Sequence, residues 1–243
     1  VGEFYVPMNW DIFNNRSLEM TIQALKACRH ILLSPRQGFQ EIRDKSAWSW
    51  TPFGLIMGSL ITVFLYFFSV VDFDWLINQM KSQTQSQAIE NLSPQVMFWA
   101  TSFGATFGIL VSNIFYALFL YLIIKASRYP TSSYGRWFGF TWWISLPVVV
   151  SSVLAILITF LSTDGMVTIE ELAPLSLGAF IHSSSHWYGL MDTLTPFLLW
   201  SVGLAAIGLH NWLDMELKLA AIIAGTPNIA IYSVWSIYIF LSN

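Results

Sequence analysis

Pro52-Phe53-Gly54-Leu55-Ile56-Met57-Gly58-Ser59-Leu60-Ile61-Thr62-Val63-Phe64-Leu65-Tyr66-Phe67-Phe68-Ser69-Val70-Val71 contains no acidic or basic residue. Crossing the roughly 30 Å hydrocarbon layer takes about 20 apolar residues of helix, with every backbone polar group satisfied inside the segment. The stretch therefore reads as a membrane span. Pro52 stands in its first turn, where a missing N–H costs nothing, and Asp72 and Asp74 mark the return to water. Four further segments meet the same requirement: 98–125; 137–161, with a kink expected at Pro147; 193–213, opening near Pro196; and 219–241, interrupted by Thr226-Pro227-Asn228.

Composition agrees with this reading along the whole chain. Of 243 residues, 55% are hydrophobic and 10% charged, against roughly a quarter charged in soluble domains. The predicted fold is an all-α membrane protein. A cytoplasmic amphipathic N-terminal region, 1–50, precedes a domain of about five transmembrane helices, 51–243. A net charge of −3 gives no basis for nucleic-acid binding, and the single Cys28 excludes an intramolecular disulfide. Residues 1–20 lack the apolar core of a cleavable signal, so the first span is expected to direct insertion.

The few charges give direction, because cytoplasmic loops carry excess Lys and Arg. Arg16, Lys26, Arg29, Arg36, Arg43 and Lys45 precede the first span, Lys125, Arg128 and Arg136 join the second to the third, and Lys218 joins the fourth to the fifth. Lys81 alone lies across the membrane, among Asp72, Asp74, Glu90, Asp164, Glu170, Glu171 and Asp192. The N-terminus is thus expected in the cytoplasm and the C-terminus outside. Trp48, Trp50, Trp75, Trp99, Trp137, Trp187 and Trp212 fall near span ends, as an interfacial aromatic belt would.

Ahead of the spans, Leu18, Ile22, Leu25 and Leu32 recur at helical spacing, while Lys26 and Arg29 point elsewhere. Ser34-Pro35-Arg36-Gln37 reads as a second helix start, with Ser34 as N-cap, Pro35 first in the helix and Gln37 closing a capping box. Phe39 and Ile42 give that helix an apolar side. The two helices are expected to cover the cytoplasmic mouth of the bundle. Arg29, Arg36, Arg43 and Lys45 would supply charge for a protein partner or anionic lipid.

Ionisable groups near the middle of a span would mark a transport path, and none is found. Asn113 and Asn228 are the most polar deep residues, with interhelical hydrogen bonding as their expected role. Small residues at Ala100, Gly104, Gly108 and Ser112, and at Gly54, Gly58 and Thr62, form stripes. They are expected to pack helices within the chain, with pairing of two copies as the alternative. On the outer side His182, His186 and Asp192, with Glu170 and Glu171 upstream, would suit zinc if the histidines shared a helix face. Ser183-Ser184-Ser185 between them argues for a solvated loop instead. A nucleophile with its base, a phosphate cradle and a paired-cysteine motif are all lacking, so the expectation is a protein that is not an enzyme and needs no cofactor.

One run of residues carries a family likeness. Leu32-Leu33-Ser34-Pro35-Arg36-Gln37-Gly38-Phe39-Gln40-Glu41-Ile42, just before the first of five spans, resembles the Yip family in its bacterial branch. Tyr134-Gly135-Arg136 through Trp142 to Pro147, and Asp192 through Pro196-Phe197-Leu198-Leu199-Trp200 to Gly208, fit the same order. Eukaryotic members are associated with membrane traffic and Ypt/Rab GTPases, while bacterial ones have no settled activity. The eukaryotic Asp-Leu-Tyr-Gly-Pro signature is absent, so the resemblance carries over no GTPase-binding residue. It implies a membrane-organising or partner-binding protein of a bacterial inner membrane. A small transporter or lipid-handling protein, suggested by the breaks at Pro147 and Pro227, is the alternative, and a metal-responsive protein the second. Asp192 is the polar position the resemblance transfers, in a role suited to the positive end of the helix that follows.

Overall fold

The computed structural model describes residues 10–43, 45, 49–83, 93–130, 132–162, 164–182 and 184–242, with side chains from Glu19 onward. The side chains of Arg16 and Leu18, and the whole of Trp48 and Glu90, lie outside the described residues. Among the described residues the order is α1 (Trp10–Leu33), α2 (Pro35–Ile42), α3 (Trp50–Val70), α4 (Phe73–Gln83), α5 (Pro94–Ala126), α6 (Tyr134–Ile144), α7 (Pro147–Leu161), α8 (Tyr188–Thr193), α9 (Pro196–Leu213) and α10 (Leu217–Leu241), without strands. Five helices are long and apolar enough to cross a membrane: α3, α5, the α6–α7 pair, α9 and α10.

Side-chain caps set where the spans begin, and this moves three boundaries from those expected. Ser93 Oγ accepts from Val96 N at 3.3 Å, Ser133 Oγ from Arg136 N at 3.4 Å and Thr195 Oγ1 from Leu198 N at 3.2 Å. Each satisfies an amide the first helical turn leaves orphaned. The third span bends ahead of Pro147 as expected, parting into α6 and α7. Pro147 has no N–H and its ring crowds the carbonyl four residues back, so the chain turns at Ser145-Leu146, with Leu146 N on Trp143 O at 3.4 Å. Pro227 stays inside α10. The Ile223 carbonyl loses its helical donor there, and one residue on, the Ala224 carbonyl accepts the Tyr116 hydroxyl of α5 at 2.9 Å.

At one end of the bundle α1 and α2 form a hairpin docked on α9, α6 and α3. Burial by Ala24, Ala27, Cys28 and Ile31 corrects the expected face of α1, because Ile22 and Leu25 are exposed and Leu32 only partly covered. Small side chains let α1 approach closely, so the longer ones point out. Burial pushes the Cys28 thiol up to about 12. Ser34 and Pro35 start α2 as expected, but no capping box forms: the Ser34 side chain makes no cap bond, and Gln37 Nε2 donates to Glu41 Oε1 at 2.9 Å. Glu41 also faces His30 Nδ1 at 2.9 Å, tying α2 back to α1.

The core here joins Phe39 and Ile42 of α2 to Trp137, Phe140, Trp143, Leu209 and Trp212. Trp212 Nε1 donates to the Phe39 carbonyl at 3.0 Å, and the Arg136 guanidinium lies over the Trp212 ring at 5.1 Å. Trp137 and Trp212 are therefore core residues, which corrects their place in an interfacial belt. Trp50 and Trp99 remain exposed, at 75% and 68%.

A smaller core closes the opposite end, where Phe67 of α3, Leu76 of α4, Met97 of α5 and Val167 pack together. The α4 helix stands in a segment expected to be loop. Asp72 is its N-cap, with Oδ1 accepting Trp75 N at 2.9 Å, and Phe73, Leu76, Ile77 and Met80 make its apolar side. Among the described residues the small-residue stripes have no packing partner within the chain. A Cβ added at Gly54, Gly58, Gly104 or Gly108 would meet nothing within 4 Å.

Candidate functional site

The two asparagines come together. A cavity of about 660 Å³ lies among α5, the α6–α7 break, α9 and α10, and both Asn113 and Asn228 line it. Asn113 and Asn228 both stand within continuous helix, Asn228 just after Pro227 of α10, while the turn before Pro147 presents Ser145. Asn113 is 5% exposed and has both ends of its amide engaged. Its Nδ2 donates to Ile109 O at 2.9 Å, and its Oδ1 accepts Ser145 Oγ at 3.3 Å. Asn113 therefore pins α5 to the broken span, as interhelical bonding requires. Asn228, by contrast, makes no side-chain hydrogen bond among the described residues. Two groups were overlooked in the sequence. Ser145 could have been found from its place two residues before Pro147, and Tyr116 from its place one helical turn after Asn113.

Past the end of α7 lies a second pocket, of about 620 Å³, where Glu170, Glu171, Ser176, His182, Tyr188 and Asp192 meet. His182 and His186 do not share a helix face, because residues 184–187 are turn and α8 starts at Tyr188. His186 does not line the pocket. Among the described residues no three His, Cys, Asp or Glu side chains gather as a metal would need. Asp192 lies in the last turn of α8 rather than ahead of α9, whose cap is Thr195, so the dipole role expected for it is corrected. Its Oδ1 accepts Ser176 Oγ at 2.8 Å, and a Cβ at Gly178 would come within 2.9 Å of that carboxylate.

Burial holds the Asp192 carboxyl above its ordinary range; the Ser176 hydroxyl opposes this and Glu170 adds to it. A carboxyl with a raised folded-state pKa favours the fold below its unfolded value, and that contribution is lost as pH rises through the folded value. At neutral pH the charge is a cost to the fold. Asp192→Asn keeps an acceptor for Ser176 and should raise the thermal midpoint at pH 7, the gain shrinking on acidification to about pH 4. Equal midpoints for variant and wild type at pH 7 would show that the carboxylate is fully compensated.

The four basic residues separate into two groups. Arg29 and Arg36 are exposed on the outer side of the α1–α2 hairpin. Arg43 binds the bundle: its carbonyl accepts the Arg136 guanidinium, and its own guanidinium lies 3.7 Å from Asp214. Lys45 follows the end of α2, its backbone N–H donating to Ile42 O at 3.0 Å.

This architecture has a family. The Yip1 domain model matches residues 29–239, from the end of α1 into the fifth span. The chain belongs to the Yip1 family. No curated protein and no solved structure matches it. In this Yip1 chain the stretches that carried the likeness are joints of the fold. Gly38 lets α2 touch α1, Phe39 enters the core, and Gly208 admits the Phe140 and Phe39 rings, whose nearest atoms stand 2.5 and 2.9 Å from where a Cβ would be.

Proposed function

We propose that this Yip1 protein is a non-enzymatic, membrane-organising or partner-binding factor of the bacterial inner membrane. Its α1–α2 end faces the cytoplasm and its C-terminus the other side. The distribution of Lys and Arg supports that orientation, since ten of the eleven are on the α1–α2 side of the span pattern.

The observation that carries the reading is the outward side of the hairpin. It shows Lys26, Arg29 and Arg36 beside exposed Ile22, Leu25 and Leu33. A basic and apolar surface held parallel to a membrane or offered to a protein suits anionic lipid or an acidic partner. Arg29→Gln with Arg36→Gln should release copurifying partner or anionic lipid and move localisation, with the thermal midpoint unchanged. Arg43→Gln keeps the backbone carbonyl that accepts Arg136 and removes only the exposed pair with Asp214, so it should move the midpoint little as well. If the double variant keeps its partners, its lipids and its location, the surface is not what the protein works through.

A second reading, a small transporter or lipid-handling protein, is favoured by one observation. Both proline-disturbed spans and both asparagines border the same cavity, and broken helices are where transporters build substrate sites. Equal flux by wild type and an Asn113→Leu, Asn228→Leu double variant would remove it.

A further inference from the structure

We propose that the cavity between α5, α9 and α10 binds an uncharged amphiphile, a lipid whose polar group is a hydroxyl or ester rather than a phosphate. The inference rests on the second reading above for its site, and concerns binding whether or not anything is moved.

The chemistry of the lining decides the ligand. Among the described residues no Asp, Glu, Lys, Arg or His borders the cavity. A charged group brought to that depth would find no counter-ion, at a cost of several kcal/mol in hydrocarbon. The lining is still not simply apolar. The Asn228 amide and the hydroxyls of Ser151, Ser201 and Tyr232 make no hydrogen bond among the described residues. Polar groups at membrane depth are satisfied internally or by something bound, because lipid tails offer nothing. Those four supply donors and acceptors, the mixture that a hydroxyl or an ester can meet and that a lone ion cannot.

The asymmetry between the two asparagines supports this assignment. Asn113 is spent on the α6–α7 break, and Tyr116 on the Ala224 carbonyl, so both hold the walls. Asn228 is left to face the occupant. The mouth has the right character too. Phe115 and Ile231 border the cavity while remaining 65% and 62% exposed. Both sit on spans well away from the helix ends, so the opening faces the lipid tails. The volume of about 660 Å³ falls within the range of sites that enclose small molecules.

The test uses the full chain in lipid nanodiscs and two photoreactive probes with identical acyl chains, a diacylglycerol and a phosphatidic acid. Diacylglycerol should label peptides covering 109–116 and 227–232, and unlabelled diacylglycerol should compete. Phosphatidic acid should label them less. Asn228→Leu should lower labelling by about two- to tenfold, the loss of one hydrogen bond, and Ser201→Phe should block the site. Protection of Cys28 from maleimide confirms that each variant is folded; if Ser201→Phe is not, Asn228→Leu decides alone. Labelling spread evenly over the lipid-facing helices, equal labelling by both probes, or labelling indifferent to Asn228→Leu would each overturn the proposal. Cavity labelling without any flux would keep it and remove the transport reading.

Discussion

Phe39→Ala is expected to destabilise the protein by about 3–5 kcal/mol, the range for deleting a buried aromatic ring. Phe39 is 0% exposed, its ring centroid lies 5.6 Å from that of Phe140, and it sits over Gly208. Removing the ring opens a void at the junction of α2, α6 and α9, which those helices can close only by moving Phe140 and Trp212. The backbone carbonyl that accepts Trp212 Nε1 survives the substitution, so the loss is one of packing. Denaturant titration in mild detergent, followed by the fluorescence of the buried Trp137, Trp143 and Trp212, measures it. A shift below 1 kcal/mol would mean that α2 only rests on the bundle. Phe39→Leu, which fills most of the space, should recover more than half of the loss. If it does not, the effect belongs to the aromatic contact with Phe140 rather than to volume.

The five spans were legible because hydropathy over 20 residues is a strong signal that local details cannot disguise. Every expected span corresponds to an observed helix or, for the third, to two helices joined at Ser145-Leu146. What hid from the sequence was anything set by packing. Ala27 and Cys28 are less conspicuous than Leu25 and Ile22, yet the small residues face the core, because a helix docked on a bundle is limited by how closely it can approach. Trp212 and Trp137 satisfy the positional rule for a belt, and burial overrode it once α2 covered that end. The α4 helix is hidden because Asp72 and Asp74 also mark a membrane exit, although an Asp followed by Phe73, Leu76, Ile77 and Met80 makes a capped amphipathic turn.

For the candidate site, the sequence supplied the members but not the meeting. Asn113 and Asn228 stand out by polarity alone, and it is the packing of α5 against α10 beside the turn at Pro147 that brings them to one space. Their different roles are not readable, since the Asn113 oxygen is met by Ser145 from an element distant in sequence, while Asn228 meets no partner among the described residues. The small-residue stripes show the reverse error. Spacing suggested tight helix contacts, whereas Gly54, Gly58, Gly104 and Gly108 face away from the chain, and the close approaches fall at glycines outside any stripe.

Gly38→Val follows from that contrast and is expected to detach the hairpin while leaving the spans inserted. A Cβ at Gly38 would stand 2.6 Å from the Ile31 amide nitrogen and 2.9 Å from its Cα. These are backbone atoms in the middle of a helix turn, so no rotamer change relieves the clash and α2 must move off α1. Overpacking commonly costs about 1–3 kcal/mol when side chains can give way, and here they cannot, so the effect should reach at least the upper end. Displacing α2 also takes Phe39 out of the core and breaks the Trp212 bond, which couples this site to the first. Cys28 reports the result directly. It is 5% exposed, with its thiol pushed up to about 12, so it should resist maleimide in the wild type and react several-fold faster in Gly38→Val. Gly54→Val and Gly104→Val are the controls, since a Cβ at either glycine meets nothing within 4 Å, and neither should change Cys28 reactivity. Protection retained in Gly38→Val would mean the hairpin reaches its docked position without the close approach of α1 and α2. Reactivity raised equally in all three would place the weakness in the spans, and the basic surface on α1 and α2 would then lose its claim to a fixed geometry.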